Sequence, residues 1–318
     1  MFEQILVPLD GSSLAESVLP HVVALARPFG SQIIVMRVVE QPQGEDRSQA
    51  VDPLGWQMRK AEAESYLDEV SARLKDLDLN VKKVLLEGRA AKRIVAYTRE
   101  KNVDLLVMSS HGQSGLSEWN INSVVQKVIL RVYMPTLIVR SYQSVPQDLT
   151  ALEYHRVLVP LDGSRRAENL LPFARSIANY HDCRIVLAHV VARPEVPRRA
   201  PLKEQEQELV DRLTELNHEH GKEYLKDLQT RLASEAETRL LVSENPAAAL
   251  HDLVEKEDID MVLLSAHGYS GEARWPYGSI ALNFIAYGTK PLLIVQDLSR
   301  EEIAESAAEK AVSQEKGH

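Results

Sequence analysis

In its second half the chain carries Ser265-Ala266-His267-Gly268, nine further residues, and then Gly278-Ser279 at the head of an apolar run with helical spacing. Glycines let a loop bring its backbone N–H groups close to an anion, and a helix start adds unbonded donors and a positive dipole end. That arrangement outlines a phosphate cradle. Asp162 ends the strand-like run VLVPLD, where a carboxylate can accept hydrogen bonds from a ribose hydroxyl or an adenine amino group. The first half repeats the set with changes: Asp10, then Ser109 and Gly112, then Asn122-Ser123. Asn122 stands where Gly278 stands, and Glu118 where Arg274 stands. If the glycine serves a left-handed backbone, Asn is among the best substitutes. If it serves close approach of phosphate, Asn blocks it. A like charge such as Glu118 about 4 Å from a phosphate oxygen costs on the order of 1 kcal/mol in water and about 4 at an intermediate dielectric, whereas Arg274 contributes the opposite sign. The second half is therefore expected to hold a phosphate better than the first.

Other chemistries fail on specific letters. No G-x4-G-K-[S/T] occurs, and Pro8 stands two residues before Asp10, where a haloacid-dehalogenase phosphatase needs a second Asp. The HEH at 218–220 has i, i+2 spacing, which does not put two ligands on one helix face, so no metal is expected. Neither His111 nor His267 has a nucleophile beside it in sequence, and turn and hydrogen-bonding roles are expected of both.

These residues are positioned by a plan written twice. VPLDGS occupies 7–12 and again 159–164, and a shift of 152 residues also lays QIIVMRVVEQP from Gln32 on RIVLAHVVARP from Arg184. Further on the shift becomes 156, pairing VDLLVMSSHG from Val103 with IDMVLLSAHG from Ile259. A duplicated domain accounts for this, because solenoid periods run only to about 50 residues. Short apolar runs alternate with segments of helical period, which implies parallel sheets covered on both faces. Ser12 or Ser13 can cap a first helix, kinked at Pro20 and, in the second copy, at Pro172. A second helix from about Trp56 to Leu77 is expected to bury Ala63, Leu67, Val70, Leu74 and Leu77, and its partner Leu209, Leu213, Leu216, Tyr224, Leu228 and Leu232. Such sheets bind ligands outside the carboxyl ends of their strands, the edge that holds Asp10, Asp162 and both SxHG turns.

The totals agree with two soluble domains: 318 residues, 44% hydrophobic and 26% charged. A net charge of −9 gives no global basic field for nucleic acid or an anionic membrane. The single cysteine suits a reducing compartment, and the absence of a leader-like or long apolar stretch points to the cytoplasm.

The strand-terminal Asp, the SxHG turn and the Gly-Ser helix start, in order and twice over, resemble the universal stress protein family in tandem form. The resemblance implies two doubly wound, Rossmann-like α/β sandwiches with mainly parallel five-stranded sheets, at 1–142 and 153–298, before a polar tail at 299–318. It implies an adenine-nucleotide site, for ATP with or without Mg²⁺, built from Asp162, Val190, Leu264, Ser265, Gly268, Gly278, Ser279 and Ile280. Ser265 replaces the first glycine of the family's G-x2-G-x9-G-[S/T] pattern, Val190 would lie against adenine, and Asp162 would hold the ribose. The weaker counterpart comprises Asp10, Val38, Met108, Ser109, Gly112, Asn122, Ser123 and Val124. The family's fifth strands mediate dimerisation, so PTLIVR and PLLIVQ imply an internal pseudo-dimer and leave room for a homodimer. The reading is a stress-response binding module. Its rivals are weak ATP hydrolysis or autophosphorylation at a hydroxyl such as that of Ser279, and a nucleotide-free scaffold.

Overall fold

The computed structural model describes residues 2–40, 53–110, 123–140, 148–193, 203–232, 236–269, 276–298 and 303. They form two compact units, the first built mainly from Met1–Glu153 and the second from Tyr154–Ala273 with Tyr277–Asp297. In the first unit β1 (Gln4–Pro8), β2 (Gln32–Val39), β3 (Asn80–Glu87), β4 (Leu105–Ser109) and β5 (Thr136–Val139) form a sheet of order β3-β2-β1-β4-β5. Every pairing is parallel, with Ile5 opposite both Ile33 and Leu105. The helices are α1 (Ser13–Glu16), α2 (Leu19–Phe29), α3 (Pro53–Lys75), α4 (Ala90–Glu100) and α5 (Ser123–Ile129).

The second unit repeats this order with β6 (Arg156–Leu161), β7 (Arg184–Ala192), β8 (Ala236–Ser243), β9 (Met261–Ser265) and β10 (Leu292–Val295), arranged β8-β7-β6-β9-β10 and again parallel. Its helices are α6 (Arg165–Glu168), α7 (Leu171–His181), α8 (Glu204–Arg231), α9 (Pro246–Lys256) and α10 (Ser279–Tyr287). The order in which strands are added reverses between the first and fourth strands of each sheet, so a crevice opens at the carboxyl ends of β1 and β4, and of β6 and β9. Central strands are buried on both faces, which explains their unbroken apolar runs. Among the described residues no helix is long and apolar enough to cross a membrane.

The repeated VPLDGS builds one turn twice. Gly11 and Gly163 take φ of +84° and +86°, a region that side chains disfavour, and the Asp before each glycine accepts from the backbone N–H of the serine after it. Ser12 and Ser164 then cap α1 and α6 by accepting from Ala15 and Ala167 N–H. The expected kinked helix is in fact two helices. Pro20 and Pro172 stand in the first turns of α2 and α7, where the missing N–H loses no hydrogen bond.

The α8 face differs from its expectation as well. Leu209, Leu213 and Leu216 are exposed, and the buried stripe is Val210, Gly221, Leu225 and Leu228. A Cβ built on Gly221 would lie 2.8 Å from Leu240 Cδ1 and 3.1 Å from the His189 ring, so the helix lies close against its sheet at a residue with no side chain.

Toward the other end of the second sheet, Arg156, Arg184 and Arg239 surround Glu237, and Arg156 and Arg239 also bond Glu257. Burial pushes the Glu237 carboxyl up, but hydrogen bonds from Arg239, Arg156 and Arg184 outweigh it and hold it below the ordinary value of 4.5. A depressed carboxylate stabilises the fold above its unfolded value and loses that contribution as the pH falls. The thermal midpoint of the second unit is thus expected to drop as the pH falls below 4.5. Arg156→Met should cost about 1–2 kcal/mol, less than a fully buried pair because Arg239 still reaches both carboxylates. It should leave ligand binding at the opposite edge unchanged, which calorimetry and titration would check together.

Candidate functional site

Between the carboxyl ends of β6 and β9 and the start of α10 lies a cleft of about 360 Å³, within the range of small-molecule sites. All eight second-copy residues singled out from the sequence line it: Asp162, Val190, Leu264, Ser265, Gly268, Gly278, Ser279 and Ile280. One wall is apolar, with Pro160, Ala188, Val190, Pro246, Leu250 and Leu264. This wall offers a dry face to a flat ring.

The polar end is built by the turn after β9 and by α10. Asp162 Oδ1 accepts from Ser164 N–H at 3.0 Å, and Oδ2 accepts from Tyr269 N–H, so the carboxylate ties the first strand's turn to the SxHG turn. A Cβ on Gly268 would overlap Asp162 Oδ2. Any side chain there would displace the carboxylate. Ser265 Oγ is buried and has no hydrogen-bond partner among the described residues. Gly278 precedes α10 without a side-chain cap, and Ser279, Ile280 and Ala281, whose N–H groups begin the helix, line the cleft. A nine-residue helix presents there its unbonded donors and its positive dipole end. A glycine cradle and a bare helix start together fit a phosphate.

Gly278 has φ −76° and ψ 174°, extended backbone open to any residue. The left-handed reading of this glycine is therefore set aside, and close approach remains. His267 has the hydrogen-bonding role expected of it: Nδ1 lies 2.9 Å from Asp297 Oδ1, which also accepts from His267 N–H at 3.0 Å. Arg166 Nη1 donates to the other oxygen of Asp297 at 3.1 Å. Sequence reasoning missed Asp297 and Arg166. Their signal was divergence between the copies, since Ser141 and Leu14 hold the matching places.

In the first unit, Asp10 follows β1, Val38 lies in β2, Met108 and Ser109 end β4, and Ser123 and Val124 begin α5. Gly112 and Asn122, like His111, Glu118 and Arg274, lie outside the described residues. Ser109 Oγ donates to Leu14 O at 3.0 Å, whereas the buried hydroxyl of its counterpart Ser265 has no partner among the described residues.

Comparison with known proteins fits the same plan. The sequence pattern of the universal stress protein family matches residues 1–140 and 153–296. Universal stress protein MJ0577 of Methanocaldococcus jannaschii is 26% identical over 159 residues, covering 45% of this chain and 98% of that protein. Universal stress protein Sll1654 of Synechocystis is 32% identical over 140 residues, covering 44% of this chain and 86% of that protein. The crystal structure of a universal stress protein from Archaeoglobus fulgidus spans 93% of this chain and 98% of its own, with a TM-score of 0.64 at 17% identity, a likeness of fold.

Proposed function

The chain belongs to the universal stress protein family, with two copies of the family domain in one polypeptide, and from that premise we propose that it is a stress-response protein whose second copy binds an adenine nucleotide, ATP foremost, as a regulatory module. The observation that carries this reading is the cleft that joins an apolar wall to the Gly268 turn and the bare start of α10. Val190, Pro246 and Leu250 would take the base, Asp162 the ribose, and Ser265, Gly268, Gly278 and Ser279 the phosphates, with or without Mg²⁺. Bound ATP would supply a charge-dense, exchangeable group whose presence alters the surface offered to a partner. The domain limits 1–142 and 153–298, the tail at 299–318 and a cytoplasmic location accompany this reading. The first copy is the weaker site, because Asn122 replaces the glycine and Glu118 stands where Arg274 stands.

The test starts with protein purified without added nucleotide, denatured, and assayed for released adenine compounds, followed by calorimetric titration of ATP. About one ATP per chain is expected. Asp162→Ala removes the acceptor for Tyr269 N–H and the ribose acceptor together, and should weaken ATP at least about tenfold. If no adenine compound is released and ATP gives neither heat nor a thermal shift, the protein is a nucleotide-free scaffold and this function is wrong.

A further inference from the structure

The turn that lines the second copy's cleft is fastened from behind by three side chains without an assigned part in holding nucleotide. His267 sits within the turn, Asp297 two residues beyond the end of β10, and Arg166 on α6. The side chains of His267 and Asp297 are each 1% exposed, and that of Arg166 is 34% exposed. Asp297 Oδ1 receives two hydrogen bonds from His267, and Oδ2 one from Arg166. Two further bonds brace the same turn: Ala266 N–H donates to Val295 O at 2.9 Å, and Gly278 N–H to Ala266 O at 2.7 Å. The end of β10, the turn and the start of α10 are therefore fixed relative to one another.

A bare carboxylate beside a phosphate site would repel the ligand. Arg166 cancels that charge, leaving Asp297 to act as an acceptor that orients the turn. None of these bonds reaches β7 or α9, which carry Val190, Pro246 and Leu250 of the apolar wall. The first copy keeps a histidine, His111, but has Leu14 and Ser141 in place of the guanidinium and the carboxylate.

We propose that Asp297, neutralised by Arg166 and bonded to His267, is a positioning residue that presets the 265–268 turn for a phosphate chain, so that the second copy discriminates adenine compounds by their phosphate content. It rests on the nucleotide reading above and deepens it. An orienting role and a purely electrostatic one predict opposite signs. Removing the Asp297 charge uncovers Arg166 and makes the site more positive, so electrostatics alone would tighten ATP, whereas loss of the preset turn weakens it.

The experiment is titration of ATP and of adenosine into full-length wild type, Asp297→Ala, His267→Ala and His267→Asn, with thermal midpoints recorded for each. Asp297→Ala and His267→Ala are expected to weaken ATP about tenfold or more while changing adenosine by less than about twofold. The Asn amide places an N–H donor near the position of Nδ1, so His267→Asn should restore ATP binding to within about threefold of wild type. Tighter ATP in Asp297→Ala, equal losses of ATP and adenosine, or His267→Asn as weak as His267→Ala would each overturn the assignment. If Asp297→Ala does not fold, the two His267 variants decide alone. If wild type binds neither compound, the nucleotide reading fails first and this assignment falls with it; if wild type binds both and the variants do not separate them, only this assignment falls.

Discussion

Gly268→Val is expected to weaken ATP binding by about 100-fold or more, close to 2.7 kcal/mol, with a much smaller loss of stability. The added Cβ would occupy the place of Asp162 Oδ2, which cannot stay where it is. That carboxylate is held on its other oxygen by Ser164 N–H and on this one by Tyr269 N–H, so displacing it breaks the tie between the strand-end turn and the SxHG turn. The proposed ribose acceptor and the phosphate-facing turn move together, which is why one isopropyl group should remove most of the binding. Stability should fall by only about 1 kcal/mol, because Asp162 is exposed and water can replace the lost bond. Titration and thermal unfolding on the same samples check both halves. Unchanged ATP affinity in Gly268→Val would move the nucleotide out of this cleft, and the matching Gly112→Val would then show whether it lies in the first copy.

Much of this was legible because the chain states it twice. VPLDGS marked the strand end in both copies and offered a serine cap, while the left-handed Gly11 and Gly163 came only with the structure. The cleft residues could be named because they fall at strand ends and a helix start, positions that sequence pattern and the resemblance to the family both mark. The buried face of α8 was less legible. Its most apolar letters, Leu209, Leu213 and Leu216, are exposed, and the helix turns toward the sheet the face bearing Gly221, which is buried for want of a side chain. Hydrophobic spacing registers large residues and is blind to a close approach made through a glycine. The Arg166–Asp297–His267 bonds were hidden for another reason: three residues separated by as many as 131 positions meet only because β10 pairs with β9 beside β6. No local pattern carries such a contact.

Gly278→Asn is expected to abolish tight ATP binding while leaving the thermal midpoint equal to wild type or slightly above it. From sequence alone the glycine could have served either the backbone or the ligand, and Asn122 in the first copy fits the first role and defeats the second. The backbone at Gly278 decides between them: φ −76° and ψ 174° cost an Asn nothing. A Cβ there would meet Ala266 O at 3.5 Å and His267 Cα at 3.7 Å, ordinary contact distances. Replacing glycine also narrows the unfolded ensemble, worth about 0.4–1 kcal/mol in favour of the fold where the conformation is compatible. The side chain would nevertheless stand immediately before the N–H groups that begin α10, where a phosphate must come close to be held. A drop in ATP affinity of about 30-fold or more, with stability preserved, is the expected outcome. Destabilisation in step with lost binding would mean that the glycine is structural after all; full binding in a stable variant would mean that no phosphate approaches α10. The expected outcome also explains the first copy, whose Asn122 would keep the fold and forgo the phosphate, leaving one copy to sense charge-rich nucleotide and the other free to keep the scaffold.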